Sequence, residues 1–545
     1  MGLSTSMWAG VTGLMAHGEK MGVVGNNLAN VNTVGFKSQR MDFEDLVYAS
    51  IGTGVGSSQL GQGVRPEAIL GDFSQGGFET SNEVTDMAVS GQGFFTVRDR
   101  NNQATYYTRA GNFRFDQNGF LTDPNHYTVQ GWQVDALNLR AERANGQTVT
   151  KIPTRGSITD VRLDTLALAA QPTDNVTVVT NLDPRTGSKS TSTTDPAFSL
   201  FQNYRFNPTR PQDSPLPDTA FGFQTTIKVY DQRGGSHNLT VYYDKISDVN
   251  GKEYWEYMVC TDPTADGRTF DVNGVPVNMA SDAHAGVLMI GTMTFSDSGA
   301  LENQTAFTLN AGAITGSVSD LSNWTQARIS GSGYPVFTAN FRSVSGASVT
   351  TASNAVSMSL NFGIRSASTQ WNATAATDAS QIGYNFLTNS PLLQGFVPST
   401  LTRNNLATTN YEASSSNLYL SQNGYPPGTL QSISVDSDGV LSGHFSNGQV
   451  QELYVIALTD FSSPWGLKRE GSNLFAQTRE SGDAVTGRAN TGRLGSVASN
   501  SLETSNVDMA REMVQMIQTQ RGFQANSKII TTADSMLSEV IQLKR

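Results

Sequence analysis

The residue types that most often carry chemistry are sparse and scattered in this 545-residue chain. The five histidines lie far apart, without an HExxH motif or a pair at helical spacing, so they predict no zinc site. They are His17, His126, His237, His284 and His444. No GxSxG, P-loop or protein-kinase motif is present, and no catalytic pair of carboxylates is indicated. The sequence therefore predicts no catalytic, metal-binding or cofactor-binding residue, and no enzyme.

Four short stretches repeat a pattern in which an apolar residue is followed by an aspartate, turn residues and a glycine. They begin at Phe115, Tyr230, Phe295 and Val435. Asp436-x-Asp438-Gly439 also resembles part of a calcium-binding loop, but the spacing and the final glutamate of an EF-hand are absent. Hairpin turns account for all four stretches.

Cys260 and the stretch Gly91-Gln92-Gly93 are the remaining chemical candidates. A single cysteine excludes an internal disulfide framework, and on a predicted strand it is most often a small buried hydrophobic residue. The glycine stretch is not a dinucleotide fingerprint, because Thr96 occupies the third glycine position and a strand is predicted to follow.

Composition restricts the class of partner. The net charge is −11 and 15% of the residues are charged, without a basic stripe, which argues against nucleic acid or an anionic membrane surface. No run of 18 apolar residues occurs, so no membrane insertion is predicted. The first 20 residues lack the positive region of a secretory signal peptide.

Two heptad stripes, one near each terminus, are the elements that could organise the chain. Residues 503–545 contain one glycine and no proline, and they predict a long amphipathic helix of coiled-coil type. Ser505 and Asp508 predict a capping box at its start. Its apolar positions are Met509, Met516, Phe523, Ile530 and Leu537, widened by Met513, Ile517, Val540 and Ile541. Such a helix either docks on its own domain or assembles with other copies.

The N-terminal stripe, in residues 1–31, is weaker. Its positions are Leu3, Met7, Leu14, Met21, Val24, Leu28 and Val31. Five glycines interrupt it, and at about 1 kcal/mol each relative to alanine they cost an isolated helix about 5 kcal/mol. We therefore expect this segment to be helical only when its stripe is buried, with the two terminal segments paired and packed against copies of themselves.

Between these segments the sequence predicts a mostly β multidomain protein. Residues 32–83 are rich in glycine and serine and are expected to form an extended linker. Residues 84–155 and 408–502 show short alternating strands and are expected to form one discontinuous β domain. Residues 156–407 would then be one or two inserted outer β domains. The predicted fold class is thus nested β domains with paired, coiled-coil-like N- and C-terminal α-helices.

The stretch NNLANVNTVGFK, from Asn26 to Lys37, resembles the N-terminal signature of the axial protein family of the bacterial flagellum, which comprises rod, hook and hook-associated proteins. Residues 505–545 resemble the C-terminal signature of the same family, and residues 86–121 and 421–478 are similar to its β regions. The signature residues are Asn26, Asn27, Ala29, Asn30, Gly35, Phe36 and Lys37.

The resemblance implies a structural subunit of the flagellar hook, polymerised into a curved helical tube that acts as a universal joint and transmits torque from rod and motor to filament. It implies an extracellular location, reached by type III export without a cleaved signal peptide. The implied partners are further copies of the chain, the distal rod protein, the hook cap, the hook-associated junction proteins and the type III export apparatus.

Three alternatives remain beside this interpretation. A distal rod or hook-associated junction protein shares the terminal signatures, although the length and residues 421–445 favour the hook. A wall hydrolase carried on a flagellar scaffold lacks a catalytic constellation, and an unrelated β-rich adhesin does not explain the matched termini. In some hook relatives a cysteine–lysine cross-link joins neighbouring subunits, which makes Cys260 a candidate for such a link.

Overall fold

The computed structural model describes residues 2–543 except 54–55, 145–148, 165, 193, 250–251, 311, 313, 343–353 and 383–389. The chain divides into two compact units. Unit 1 comprises Met1–Leu166 and Thr429–Arg545, and unit 2 comprises Ala167–Gly428. The chain therefore leaves unit 1, forms unit 2 and returns.

The first arm of unit 1 begins with a long helix and continues with short strands. The helices are α1 (Gly2–Ala29) and α2 (Ala136–Ala144). The strands are β1 (Gln39–Asp45), β2 (Ala49–Thr53), β3 (Gly56–Leu60), β4 (Val64–Gly71), β5 (Phe78–Thr80), β6 (Met87–Ser90), β7 (Phe94–Arg98), β8 (Thr105–Thr108), β9 (Arg114–Phe115), β10 (Leu121–Thr122), β11 (Thr128–Val134) and β12 (Thr154–Asp160).

In its described residues, unit 2 contains strands, several short 3-10 helices and one short α-helix, α3 (Ser199–Asn203). The strands are β13 (Ala167–Leu168), β14 (Asn175–Asn181), β15 (Phe223–Tyr230), β16 (Ser236–Val249), β17 (Lys252–Thr261), β18 (Thr269–Val272), β19 (Val275–Asn278), β20 (Val287–Ser296), β21 (Leu301–Gln304), β22 (Phe307–Leu309), β23 (Trp324–Gln326), β24 (Arg328–Ile329), β25 (Pro335–Asn340), β26 (Ala355–Asn361), β27 (Ile364–Ser366), β28 (Leu401–Arg403) and β29 (Ser416–Gln422).

The second arm of unit 1 ends in the longest helix, α4 (Met509–Leu543). Its strands are β30 (Gly428–Val435), β31 (Val440–Phe445), β32 (Val450–Ile456), β33 (Leu458–Asp460), β34 (Lys468–Gly471), β35 (Leu474–Ala476), β36 (Val485–Gly487), β37 (Ser496–Ser499) and β38 (Ser501–Glu503). The predicted fold class, mostly β with packed N- and C-terminal helices, is confirmed.

The large sheet of unit 1 is built from both arms of the chain. Strand β11 lies between β32 and β7, and β8 pairs with β35. Two further pairs, β6 with β37 and β5 with β38, continue this joining toward the helices. One core, which includes Phe95, Phe113, Leu441 and Ile456, contains side chains from both arms. The body of unit 1 therefore needs both arms to form.

Unit 2 has a seven-stranded sheet with a core on each face. The strand order is β15-β16-β17-β20-β22-β23, with β21 beside β20. Along β17, Trp255, Tyr257 and Val259 enter the core shared with the sheet β24-β25-β26-β14-β29. Tyr254 and Met258 point to the opposite face and enter the core that includes α3. Successive side chains on a strand face opposite ways, so a strand between two cores is apolar throughout.

Regular strands occur within the segment 32–83 that the sequence predicted to be an extended linker. Strand β1 pairs with β4 in an antiparallel register that runs from Gln39 opposite Gly71 to Asp45 opposite Val64. This pair packs on α1, where the Lys20 ammonium lies 5.3 Å from the centre of the Phe43 ring. The strand signal was hidden because charged and small residues outnumber apolar ones in this stretch.

The start of α4 corrects one detail of the prediction. The Oδ1 atom of Asp508 accepts hydrogen bonds from the backbone N–H groups of Ala510, at 2.9 Å, and Arg511, at 3.2 Å. The N-cap is therefore Asp508 and not Ser505, whose hydroxyl accepts from the N–H of Val507 in the preceding turn. Both residue types cap helices well, and the tertiary position of the segment selects between them.

Candidate assembly site

Small residues in α1 allow α4 to approach closely. Gly10 and Gly13 are both buried. A Cβ atom on Gly10 would lie 3.2 Å from Cγ1 of Ile530, and one on Gly13 would lie 2.8 Å from Nδ2 of Asn526. The glycines that weaken an isolated helix thus make room for the partner helix at these two positions.

The two helices run antiparallel. Gly13 lies against Asn526, whereas His17, one turn later in α1, lies against Gly522, one turn earlier in α4. A Cβ atom on Gly522 would lie 2.7 Å from Nε2 of His17. Close approach therefore depends on glycines in both helices.

The α4 face toward α1 follows alternating steps of four and three residues, as in a coiled-coil seam. One series is apolar and half-buried: Met516, Phe523, Ile530 and Leu537. The other series is polar or small and is also withdrawn from solvent: Glu512, Thr519, Asn526 and Ala533. Polar residues in such a seam reduce its stability and help to select one register.

Glu512 and His17 are titratable groups of this helix pair with shifted pKa values. Burial raises the pKa of Glu512, whose Oε2 atom accepts no hydrogen bond from the described residues. Burial, and then the Lys20 charge, lower the pKa of His17. Burial therefore favours the neutral form of both side chains, because a charged group is less stable when it is withdrawn from water.

A second set of apolar residues on the two helices remains exposed to solvent. In α4, Met509 and Ile517 are each 50% exposed and Ile541 is 65% exposed. In α1, Trp8 is 67% exposed. We use the name exposed helix face for the whole set, whose members lie on more than one side of α4: Trp8, Met15, Met509, Met513, Val514, Ile517, Ile529, Met536, Val540 and Ile541. Apolar surface of this extent on paired helices is characteristic of an interaction surface.

The stripe predicted for the N-terminal segment lies mostly along α1. Val24 is buried, and Met7, Leu14, Met21 and Leu28 are half-buried. Val31 lies two residues beyond the last residue of α1, in a turn. The side chain of Leu3 lies outside the described residues, although its backbone belongs to α1.

The stripe predicted for α4 divides between two faces. Met516, Phe523, Ile530 and Leu537 face α1, whereas Met509, Met513 and Ile541 belong to the exposed helix face. The polar series Glu512, Thr519 and Asn526 was not predicted from the sequence. Its only signal was its spacing, because polar residues carry no hydrophobic pattern.

The first part of the family signature closes the end of α1. Asn27 is buried, donates from Nδ2 to the carbonyl of Gln39 at 2.8 Å, and accepts from the Gln39 N–H at 2.9 Å. Asn30 donates from Nδ2 to the carbonyl of Asn26 at 2.9 Å. Ala29, the last residue of α1, is exposed. The Asn27 amide thus joins the helix end to β1, whereas the Asn30 amide closes the last turn of the helix.

The second part of the signature contacts the β strands of unit 1. Gly35 has a φ of +68°, and a Cβ atom there would lie 2.5 Å from the backbone N of Ala110. Phe36 is buried, with the Arg469 guanidinium 5.6 Å from the centre of its ring. No side chain fits at position 35 without displacing the neighbouring backbone.

Lys37 belongs to a buried group of charges, which we call the charge junction: Lys37, Arg109 and Glu503. The Nζ atom of Lys37 donates to Oε1 of Glu503 at 2.6 Å, and Nη1 of Arg109 donates to Oε2 of Glu503 at 3.2 Å. The side chains of Lys37 and Glu503 are 0% exposed. Burial lowers the pKa of Lys37 and of Arg109, while the Glu503 carboxylate opposes that shift in both.

Asp436 and Cys260, which the sequence offered as candidates for chemistry, have structural roles. Oδ1 of Asp436 accepts from the N–H groups of Asp438 and Val440, which closes the β30–β31 turn. Cys260 is buried in β17, and burial raises the pKa of its thiol.

Among the described residues, no group of three His, Cys, Asp or Glu side chains could hold a metal ion. No helix within the described ranges is long and apolar enough to cross a membrane.

Four family models match successive parts of the chain. Residues 7–37 match the flagella basal body rod protein model, and residues 88–164 match the flagellar hook protein FlgE/F/G D1 domain. Residues 199–425 match the flagellar basal body protein FlaE D2 domain. Residues 498–543 match the flagellar basal body rod FlgEFG protein C-terminal model. The helices and the strands thus match parts of the same group of proteins.

Flagellar hook proteins FlgE match the chain from end to end. Those of Treponema pallidum and Borreliella burgdorferi are both 29% identical, over 99% of this chain and 99% of their own length. That of Salmonella typhimurium is 27% identical over 98% of each chain. A crystal structure of a Helicobacter pylori hook protein aligns with a TM-score of 0.44 at 14% identity over 78% of this chain, which is too distant to bear on the assignment. The full-length matches are to hook proteins, and so the chain belongs to the flagellar hook protein FlgE family and is a structural, non-enzymatic subunit of the hook.

Proposed function

We propose that this subunit polymerises through the exposed helix face into a curved helical tube. The observation that carries this proposal is the apolar surface left open on α1 and α4 after the two helices have packed together. Full burial of a large apolar side chain is worth about 1.5–3 kcal/mol. The half-exposed residues of this face can therefore each contribute on the order of 1 kcal/mol when another copy covers them.

The geometry of such contacts favours an open polymer. A contact between two different surfaces of identical subunits gives a helical assembly when its rotation does not close a ring. The helix pairs would form the inner tube and the β units would lie outside it. A tube of this kind bends when neighbouring subunits slide, and it transmits torque from rod and motor to filament as a universal joint.

The same proposal includes the specific partner proteins of the subunit and its location. The family membership supports further copies of the chain as the main partner. The distal rod protein, the hook cap and the hook-associated junction proteins would meet the two ends of the tube. The type III export apparatus would deliver the subunit to the outside of the cell without cleavage of a signal peptide.

A single substitution on the exposed helix face tests the assembly role. In Ile517→Asp, a carboxylate replaces a half-exposed apolar side chain of α4, so we expect at least tenfold fewer hooks in a bacterial strain without its own hook subunit. Gln518→Asp is the matched control, because Gln518 is also exposed and gains the same charge one position later. Hooks are counted by electron microscopy, and subunit released into the medium measures export.

The two outcomes separate clearly. Folded subunit that accumulates in the medium without hooks, for Ile517→Asp alone, supports assembly through this face. Normal hooks with Ile517→Asp, or an equal loss with Gln518→Asp, would contradict the assigned surface.

A further inference from the structure

The segments that connect the two terminal helices to the β strands meet at one place. Gly35, six residues after α1, donates its N–H to the carbonyl of Glu503 at 2.7 Å. Ser38 donates its N–H to Oδ1 of Asn506 at 2.7 Å. Glu503 and Asn506 both lie just before α4. The exit of α1 and the entry of α4 are therefore hydrogen-bonded to each other, although more than 460 residues separate them.

A third segment, residues 72–77, closes over this meeting point; we call it the strap. Lys37 donates from Nζ to the carbonyl of Ser74 at 2.7 Å, and Gly76 donates its N–H to Oε1 of Glu503 at 2.9 Å. Asn506 donates from Nδ2 to the carbonyl of Asp72 at 2.9 Å. The strap thus holds the connecting segments of both helices.

Arg109 connects the same point to the β strands of unit 1. Its guanidinium donates to Oε2 of Glu503 and also to the carbonyl of Gly91 at 2.8 Å. The Arg109 and Glu503 side chains are 5% and 0% exposed. Glu503 is thus the anion that is hydrogen-bonded to two buried cations from different segments. Without its charge, both cations would remain buried without that partner, which is strongly destabilising.

We propose that Glu503 is the positioning residue of the helix pair. Through the charge junction it fixes the exit of α1, the strap and the entry of α4 together, so that neither connecting segment is ordered without the other. The direction in which both helices leave the β strands is then set only after the N-terminal and C-terminal arms have joined. Any effect of this joining on hook assembly rests on the proposed function of the exposed helix face.

Hydrogen exchange on the full-length monomer tests this coupling. Glu503→Gln keeps the shape of the side chain and removes its charge. We expect backbone exchange to become at least tenfold faster in residues 33–38, 72–77 and 504–507 together, with unchanged exchange in unit 2. Lys37→Met, which removes one cation from a different segment, should loosen the same three stretches, including 504–507, where the sequence is unaltered.

The double variant Lys37→Met/Glu503→Gln distinguishes charge balance from loss of shape. In the wild-type protein the charge junction contains two cations and one anion. In the double variant it contains one cation and no anion, so its net charge equals that of the wild type. We expect it to exchange more slowly than Glu503→Gln in all three stretches. Glu452→Gln is the matched control, because it removes a carboxylate from the exposed ion pair with Arg143, and it should leave the three stretches unchanged.

Independent behaviour of the stretches would overturn the inference. Faster exchange in 72–77 alone, or unaltered exchange in 504–507 in Lys37→Met, means that the segments are not coupled. Equal loosening in Glu503→Gln and in the double variant means that charge balance is not the cause. Because these measurements use the monomer, they stand apart from the hook counts for Ile517→Asp, which decide the assembly surface.

Discussion

Individual glycines of α1 serve different ends, although the sequence presents them alike. Gly10 and Gly13 lie against α4, where added Cβ atoms would come within 3.2 Å and 2.8 Å of other side chains. At Gly18, Gly22 and Gly25 an added Cβ atom would meet nothing within 4 Å. The first two make room for α4 within the subunit, whereas the last three have open space beside them.

Glu256 gives unit 2 a stability that depends on pH. Its carboxylate is buried and accepts from the N–H of Leu200 at 3.0–3.1 Å, at the start of α3. Burial raises its pKa well above the ordinary value of 4.5; the bond from Leu200 opposes this and the nearby Asp244 adds to it. The folded protein therefore keeps this proton to higher pH than the unfolded chain. Stability from this group is fully present below about pH 4.5 and is lost as pH rises through the folded pKa.

We therefore expect Glu256→Gln to stabilise unit 2 at pH 8, by on the order of 1–3 kcal/mol, because folding of the neutral glutamine requires neither a buried charge nor the uptake of a proton. The gain should shrink as the pH falls, because below about pH 4.5 the wild-type carboxyl is protonated in both the folded and the unfolded states. Urea unfolding of both proteins across this range measures the difference. A gain that does not vary with pH would show that packing, and not titration, is responsible.

At the scale of elements, α1 and α4 are each incomplete. The face of α1 that contains Gly10 and Gly13 is apolar or small and is covered by α4. Helix α4 contains a polar series within its seam, so it too gains its stability from tertiary contacts more than from its own sequence.

A chain truncated after Asp508 should lose the order of α1 as well as α4. It keeps β38 and Glu503, so we expect protected amides in 33–38 and in the β strands, and exchange in α1 at the rate of an unfolded peptide. A chain truncated after Leu502 also lacks Glu503 and should lose protection in 33–38. Hydrogen exchange with mass spectrometry measures both. Persistent protection of α1 in the first chain would contradict its dependence on α4.

At the scale of the whole molecule, unit 2 is an insertion with its own cores. All buried residues of its two core clusters, from Val176 to Phe396, lie between β14 and β29 in the sequence. Unit 1, in contrast, draws its core from both arms of the chain. The cores of unit 2 therefore come from one continuous segment of the chain, whereas the core of unit 1 needs both arms.

We expect residues 167–428, expressed alone, to fold and to unfold cooperatively. The reason is that each of the two cores closes within the insertion, so cutting the chain at 167 and 428 removes no core side chain. Urea unfolding monitored by tryptophan fluorescence should show a single transition, since Trp255 and Trp324 are fully buried. A fragment that binds hydrophobic dyes and lacks a sharp transition would contradict this independence.

The amino-acid sequence by itself determined the fold class, the two terminal helices and the family. Local periodicity carries this information, because a repeat of 3.5 residues or of 2 residues is present in the chain before any long-range contact forms. The matched signatures around Asn26–Lys37 and in residues 505–545 identified the family without any knowledge of where those residues lie. The sequence also favoured a hairpin turn over a calcium site at Asp436, because the local spacing of the ligand residues distinguishes the two.

Only the tertiary structure decided which side of each helix is covered and what the signature residues touch. A heptad stripe does not state that Met516 faces α1 while Met513 faces solvent, because both belong to one apolar region of the helix. The strands β1 and β4 carry too weak a pattern to be read without their pairing. The contact of Lys37 with Glu503 joins residues 466 positions apart, and a charge pair of that separation leaves no local trace in the sequence. Burial and partnership are properties of the packed chain, so they emerge only when both arms have met.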